Sequence, residues 1–216
     1  MSFFQIIQQL LPGMGTSIQI FFVTLIFSLP LGIIVALLRL NKNPIISGIT
    51  TAYISVMRGT PLMLQMMLVY FGPYYLFKIS VSSSYRLTAV LIAFSINYAA
   101  YFGEIYRGGI NSMPQGQYEA AKLLGYNKVQ TFFVIILPQV IKRVIPSVGN
   151  EVITLVKDTS LAFTISVAEM FSMAKALASS QVSMMPYVAA ALFYYIFNFI
   201  VAWVMDRIEK RLDYYR

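Results

Sequence analysis

The sequence predicts an all-α integral membrane protein with about five transmembrane helices. Three observations lead there. Hydrophobic residues make up 58% of the 216 and charged residues only 11%, against about 45–50% and about 25% in soluble domains. The mean hydropathy is +0.71. Apolar runs near 20 residues long recur along the chain, the length a helix needs to cross about 30 Å of hydrocarbon. One modest domain (1–216) cannot hide that much apolar surface in a soluble core, so much of it faces lipid.

The first predicted helix runs from about Ile18 to Leu38, with Gln19, Thr24 and Ser28 as its polar interruptions, and Arg39 and Lys42 close it. No basic residue precedes it between Met1 and Gln9, so no cleavable signal is expected. The second runs from about Leu62 to Phe77, extending back through Ile45–Met57 across a break at Gly59-Thr60-Pro61. The third covers about Leu87–Tyr106. The fourth covers roughly Val148–Phe171 and carries Glu151, Lys157 and Asp158. The fifth covers about Tyr187–Met205, with Asn198 inside it and Trp203 near its end, where an interfacial aromatic belongs. The remaining Phe, Tyr and Met are expected to pack or to face lipid.

The net charge of +8 fits cytoplasmic loops rather than nucleic-acid binding. With the N-terminus outside, the inner segments hold Arg39, Lys42, Arg58, Arg107, Lys122, Lys128, Lys142, Arg143, Arg207, Lys210, Arg211 and Arg216. The outer segments hold only Lys78, Arg86 and Lys175. That bias places the C-terminus in the cytoplasm. Cys and His are absent, which removes disulfides, thiolate and His-based catalysis and most transition-metal sites.

Ionisable groups at membrane depth point to function. Asn97, Tyr101 and Glu104 share one face of the third helix, continued by Gly108; Glu151, Thr154 and Asp158 share one face of the fourth. Two such faces can line a polar path, with Gln65 of the second helix beside them. The structural alternatives are that Glu104 pairs with Lys157 or Arg107, that Asp158 caps a helix break, and that Asn97, Tyr101 and Gln65 hold helices together.

The hydrophilic segment of about 108–143 separates helices three and four and is expected inside. Pro114 suits the first position of a helix and Gly125 suits its stop. The enclosed helix carries Glu119, Ala120 and Ala121. By periodicity it is either an interfacial helix or a docking element. The fuller pattern is Glu119-Ala120-Ala121, three residues, Gly125, nine residues, Ile135, one residue, Leu137-Pro138. It resembles the EAA loop of ABC importer permeases. Arg58-Gly59-Thr60-Pro61-Leu62, Glu104 to Ile110, Gly116 to Ala121 and Lys157 to Leu161 resemble the polar amino acid branch of that family. The likeness runs from about Thr16 to Arg211.

The resemblance implies a type I importer fold in a bacterial inner membrane. It implies a second permease subunit, taken here as an identical copy, two cytoplasmic ATPase subunits, and an extracytoplasmic binding protein that delivers a polar amino acid. Glu119, Ala120, Ala121 and Gly125 would form the contact with the ATPase, flanked by Gln117, Tyr118, Leu123 and Leu124. The chain has no Gly-x4-Gly-Lys-Ser/Thr loop, so ATP and magnesium are expected on the partner and no cofactor on this chain. Glu104, Glu151, Asp158 and Glu169 outnumber Lys157, which favours arginine, lysine or histidine as substrate, with glutamine or glutamate as the alternative. A gradient-driven channel or secondary transporter has no need of the EAA-like loop, and an intramembrane enzyme lacks its nucleophiles and bases.

Overall fold

The computed structural model describes residues 2–212, so Met1 and Arg216 lie outside the described residues. Those residues form helices joined by short connections. Helix α1 spans Phe3–Arg39, starting well before the predicted Ile18. Ser2 and Gln5 explain the early start: each side chain accepts the other's backbone N–H, a reciprocal cap that satisfies two N-terminal donors. The added turns bury Ile6 and Leu10 against Met170, Ala174, Ala189 and Ala190.

Helices α2 (Pro44–Gly59) and α3 (Leu62–Phe77) meet at 108°. The break falls at the predicted Gly-Thr-Pro. Pro61 pushes the residue before it out of the helical region, and Thr60 is extended at φ −122° and ψ 148°. Asn43 caps α2 with Pro44 at its first turn. Helix α4 (Tyr85–Asn111) lies along α1. A Cβ on Gly103 would sit 2.6 Å from Val35 Cγ1, and one on Gly32 would sit 2.7 Å from Phe102 Cβ. Small residues of this kind let membrane helices approach closely, where dispersion replaces the hydrophobic drive.

Helix α5 (Gln115–Leu123) is the short helix expected after Pro114, although Pro114 caps it rather than opening its first turn. Asn127 then caps the single turn α6 (Lys128–Gln130), which runs through a π-helical stretch (Thr131–Ile136) into α7 (Leu137–Asp158). A 3-10 segment, Thr159–Ile165, follows. The fourth span therefore begins far earlier than the predicted Val148 and loses α-helical geometry at Asp158. The hydrophilic segment proposed for 108–143 is mostly helix. Val140, Val144, Val148 and Val152 face the core, while Lys142 and Arg143 share the same turns outside it. What reads as a polar linker is one face of an amphipathic helix.

Helix α8 (Met170–Gln181) occupies most of the stretch expected as an outer loop, Ser172–Pro186, and α9 (Met185–Leu212) closes the fold. Among the described residues, Phe3–Arg39, Tyr85–Asn111, Lys128–Ile165 and Met185–Leu212 are each long and apolar enough to span a bilayer, and the bent α2–α3 pair makes a fifth. The predicted count of about five agrees, with one span broken. On α9, Val188, Leu192, Tyr195, Ile196 and Phe199 are exposed, as the lipid-facing reading of that stretch requires.

Candidate translocation cavity and cytoplasmic docking face

The α2–α3 break, α4 and α7 enclose a cavity of about 290 Å³. Thr60, Pro61 and Leu62 come from the break. Asn97, Tyr98 and Tyr101 come from α4, Glu151, Thr154 and Asp158 from α7, and Leu161 from the 3-10 segment. The helical spacing inferred from sequence thus brings both polar faces to one space. The Tyr98 hydroxyl donates to Asp158 Oδ2 at 2.8 Å. This bond crosses between the two walls and fixes the carboxylate. Asp158 makes no side-chain cap on the segment that follows, so the capping alternative is set aside.

Asn97 serves two purposes. Its Nδ2 donates to the Met57 carbonyl and to Gln65 Oε1, each at 2.9 Å. Gln65 Nε2 donates in turn to the carbonyls of Met57 (3.0 Å) and Thr60 (3.2 Å) and to Thr60 Oγ1 (2.8 Å). Together the two amides satisfy carbonyls at the end of α2, which has no further helical turn to pair them. Gln65 is not on the polar cavity. It lines an adjoining apolar pocket with Val56, Leu64 and Leu68, and its role is to hold the break that presents Thr60 and Pro61.

Glu104 also lies off the cavity. It forms a bidentate ion pair with Arg107 one turn away, the pairing anticipated as its structural alternative. Lys157 is exposed on a different face of α7 and lines a separate pocket with Ser160, Phe171, Tyr187 and Tyr194. Glu169 is fully buried and accepts the N–H groups of Phe171 (2.7 Å) and Ser172 (2.6 Å) and the Tyr194 hydroxyl (3.0 Å). It caps α8 and leaves the tally of path-lining acids.

Two contributors were not assigned from sequence. Tyr98 neighbours Asn97, and its one-turn spacing from Tyr101 was the available signal. Arg58 was noted within a motif and among the inner-segment cations, but not as a cavity residue. Its guanidinium lies 5.3 Å from the Tyr101 ring centroid. A single Arg at the end of an apolar helix, directly before a break, was the signal there.

Beyond the C-terminal end of α4, α5 closes in a Schellman turn. Gly125 N–H donates to the Lys122 carbonyl (3.1 Å) and Tyr126 N–H to that of Ala121 (3.0 Å). Gly125 adopts φ +84°, a backbone that L side chains avoid. Leu123 and Leu124 are 90% and 75% exposed. Gln117, Glu119 and Ala120 are exposed beside them, whereas Ala121 is buried and Tyr118 packs on the core. Ala121 thus seats α5 on its own chain, and the outward face is carried by the other predicted residues.

The model of the binding-protein-dependent transport system inner membrane component matches residues 28–214. The probable amino-acid permease protein YxeN of Bacillus subtilis (strain 168) is 40% identical, over 88% of this chain and 84% of that protein. The L-cystine transport system permease protein TcyB of the same organism is 37% identical, over 94% and 86%. A solved amino acid ABC transporter with histidines superposes with a TM-score of 0.87 at 28% identity, covering 98% of this chain and 99% of that one. Together with these amino-acid permeases, the chain belongs to the family of inner-membrane components of binding-protein-dependent transport systems, the non-enzymatic permease subunits of ABC importers.

Proposed function

We propose that this chain passes a cationic amino acid (arginine, lysine or histidine) through the cavity between α4 and α7, with a separate ATPase driving the step from below α5. The observation that carries the reading is the charge set of the cavity. Glu151 and Asp158 line it, and Arg58 stands at its edge. Two carboxylates offer sites to an ammonium group and to a second cationic group. Arg58 offers a bidentate partner to the α-carboxylate. The net negative balance favours a cationic side chain over a neutral one. A volume of about 290 Å³ sits at the small end of ligand pockets, about 300–1,000 Å³.

The energy source is read from the opposite end. Leu123 and Leu124 stand exposed on the connection that the Lys and Arg bias places in the cytoplasm, and exposed apolar side chains of this kind mark docking surfaces. The ATPase, carrying ATP and magnesium, occupies that face. The permease works as a pair, with an identical copy as the second subunit. A binding protein delivers substrate on the outer side, and the Lys and Arg bias sets the N-terminus outside and the C-terminus inside.

The test is uptake into liposomes by the chain reconstituted with its ATPase and binding protein, offered arginine, lysine, histidine, glutamine and glutamate. ATP-dependent uptake that favours the cationic substrates is expected. Glutamine uptake alone would keep the importer and refute the charge argument. Flux by the chain alone, indifferent to ATP, would refute the coupling.

A further inference from the structure

Three contacts converge at the base of α5. The chain passes from α4 to α5 through Ser112, Met113 and Pro114 only, and Met113 is buried in the core. Arg143 of α7 donates from Nη1 to the Ser112 carbonyl at 2.7 Å. One turn earlier on α7, Gln139 donates to the Ile135 carbonyl at 2.7 Å and lies 3.5 Å from Gln117 Oε1 on α5. Between these, a Cβ on Gly109 would collide with Val144 of α7, so the end of α4 and the start of α7 are in close backbone-to-side-chain contact.

The Ser112 carbonyl is among the last acceptors of α4, where the helix dipole leaves partial negative charge and no intrahelical donor remains. A guanidinium placed there is held by a charge-assisted hydrogen bond and by the dipole together. Yet Arg143 itself is exposed, so the interaction adds nothing to the core. Its effect is to join the hinge of α5 to α7. From Arg143, α7 rises about 12 Å to Glu151 and about 22 Å to Asp158 at 1.5 Å per residue. One helix therefore has its lower end clamped to the α5 hinge and its upper end in the cavity wall.

We propose that Arg143 is a positioning residue for energy coupling: it locks the α4–α5 hinge to α7, so that displacement of α5 moves Glu151 and Asp158. The proposal rests on the reading of α5 as the ATPase contact. Without the clamp, α5 pivots on its three-residue hinge, and hydrolysis proceeds without moving the cavity wall.

The experiment compares R143Q and R143K with the unaltered chain, each reconstituted as the full complex with ATPase and binding protein. Three quantities are measured: ATPase co-purification, ATP hydrolysis, and substrate moved per ATP. R143Q is expected to co-purify fully and to hydrolyse ATP within about twofold of normal, while substrate moved per ATP falls about tenfold, the scale of one charged hydrogen bond. R143K, which still offers an ammonium donor to the carbonyl, is expected to recover part of the loss. Unchanged transport per ATP in R143Q would overturn the proposal. So would loss of ATPase co-purification in R143Q, because that would make Arg143 an assembly residue. L124E is the separate control for the docking reading: if it leaves co-purification intact, the docking face is wrong, whatever R143Q does.

Discussion

Replacing Asp158 by asparagine separates charge from shape in the cavity. The two side chains are nearly isosteric, and the amide oxygen of asparagine can still accept the Tyr98 hydroxyl that now donates at 2.8 Å. The walls therefore stay joined while one negative charge disappears. Two unit charges about 4 Å apart interact by about 4 kcal/mol at an effective dielectric near 20. Glu151 remains in the same cavity and retains part of the attraction, so roughly half of that is expected to be lost for a cationic substrate. About 2 kcal/mol corresponds to a rise of about 30-fold in the apparent dissociation constant. The assay is concentration-dependent uptake of arginine and glutamine by the reconstituted complex, with ATP hydrolysis followed in parallel. Arginine should weaken by this factor and glutamine much less, with ATPase docking unchanged. Equal effects on both substrates, or none on either, would refute a charge-selective cavity at Asp158.

Other positions divide the site from its supports. E104Q removes a partly exposed ion pair that lies off the cavity, worth about 0–1 kcal/mol; uptake kinetics should stay within about twofold, and a large change in substrate preference would return Glu104 to the path. N97L removes the donations to the Met57 carbonyl and to Gln65 Oε1. Met57 keeps its bond from Gln65 Nε2, but the buried Gln65 Oε1 is left unpaired at a cost of about 1–3 kcal/mol, so the Tm of the detergent-solubilised protein should drop, and an unchanged Tm would contradict the role assigned to the amide. G125A meets no atom within 4 Å but retains φ +84°, a conformation that costs an L residue roughly 1–2 kcal/mol. The turn should open about 5–30-fold more often and ATPase affinity should weaken correspondingly, while membrane insertion is unchanged; undiminished affinity would exclude that turn from the contact.

Much of this arrangement could be read from the chain, for identifiable reasons. Helices α4 and α9 are uniform enough along their length for apolar runs to find them, and Pro61 announces the α2–α3 break through its own geometry. The faces Asn97/Tyr101 and Glu151/Thr154/Asp158 follow from helical spacing alone, and they do meet. The lower half of α7 was hidden because a run that mixes Lys142 and Arg143 with Val140 and Val144 averages to a linker, although its two faces are distinct. The start of α1 was hidden because Ser2 and Gln5 act through reciprocal hydrogen bonds rather than hydropathy. Glu104 takes its local partner Arg107, whereas the side-chain partners of Asp158 and Glu169 are set by tertiary contacts that no local pattern announces. Tyr98 and Asp158 are 60 residues apart, and Ser17 reaches Glu169 across 152.

The change of helix type after Asp158 bears on what can recognise a substrate. A break at membrane depth normally frees backbone carbonyls, and these could themselves ligate an ammonium group. Here the Thr159 hydroxyl donates to the Val156 carbonyl and the Ser160 hydroxyl to that of Lys157, each at 2.8 Å. The Val156 and Lys157 carbonyls are thereby occupied by the Thr-Ser pair that follows the aspartate. On the proposed reading, those two carbonyls are not offered to a substrate, and the groups that would recognise it are side chains: Glu151 and Asp158 on one wall, Asn97 and Tyr101 on the other, and Arg58 at the edge. Side-chain charges can be exchanged one residue at a time without disturbing the helix break. With the Val156 and Lys157 carbonyls satisfied in this way, α7 can keep its geometry while the side-chain charges beside the break are changed.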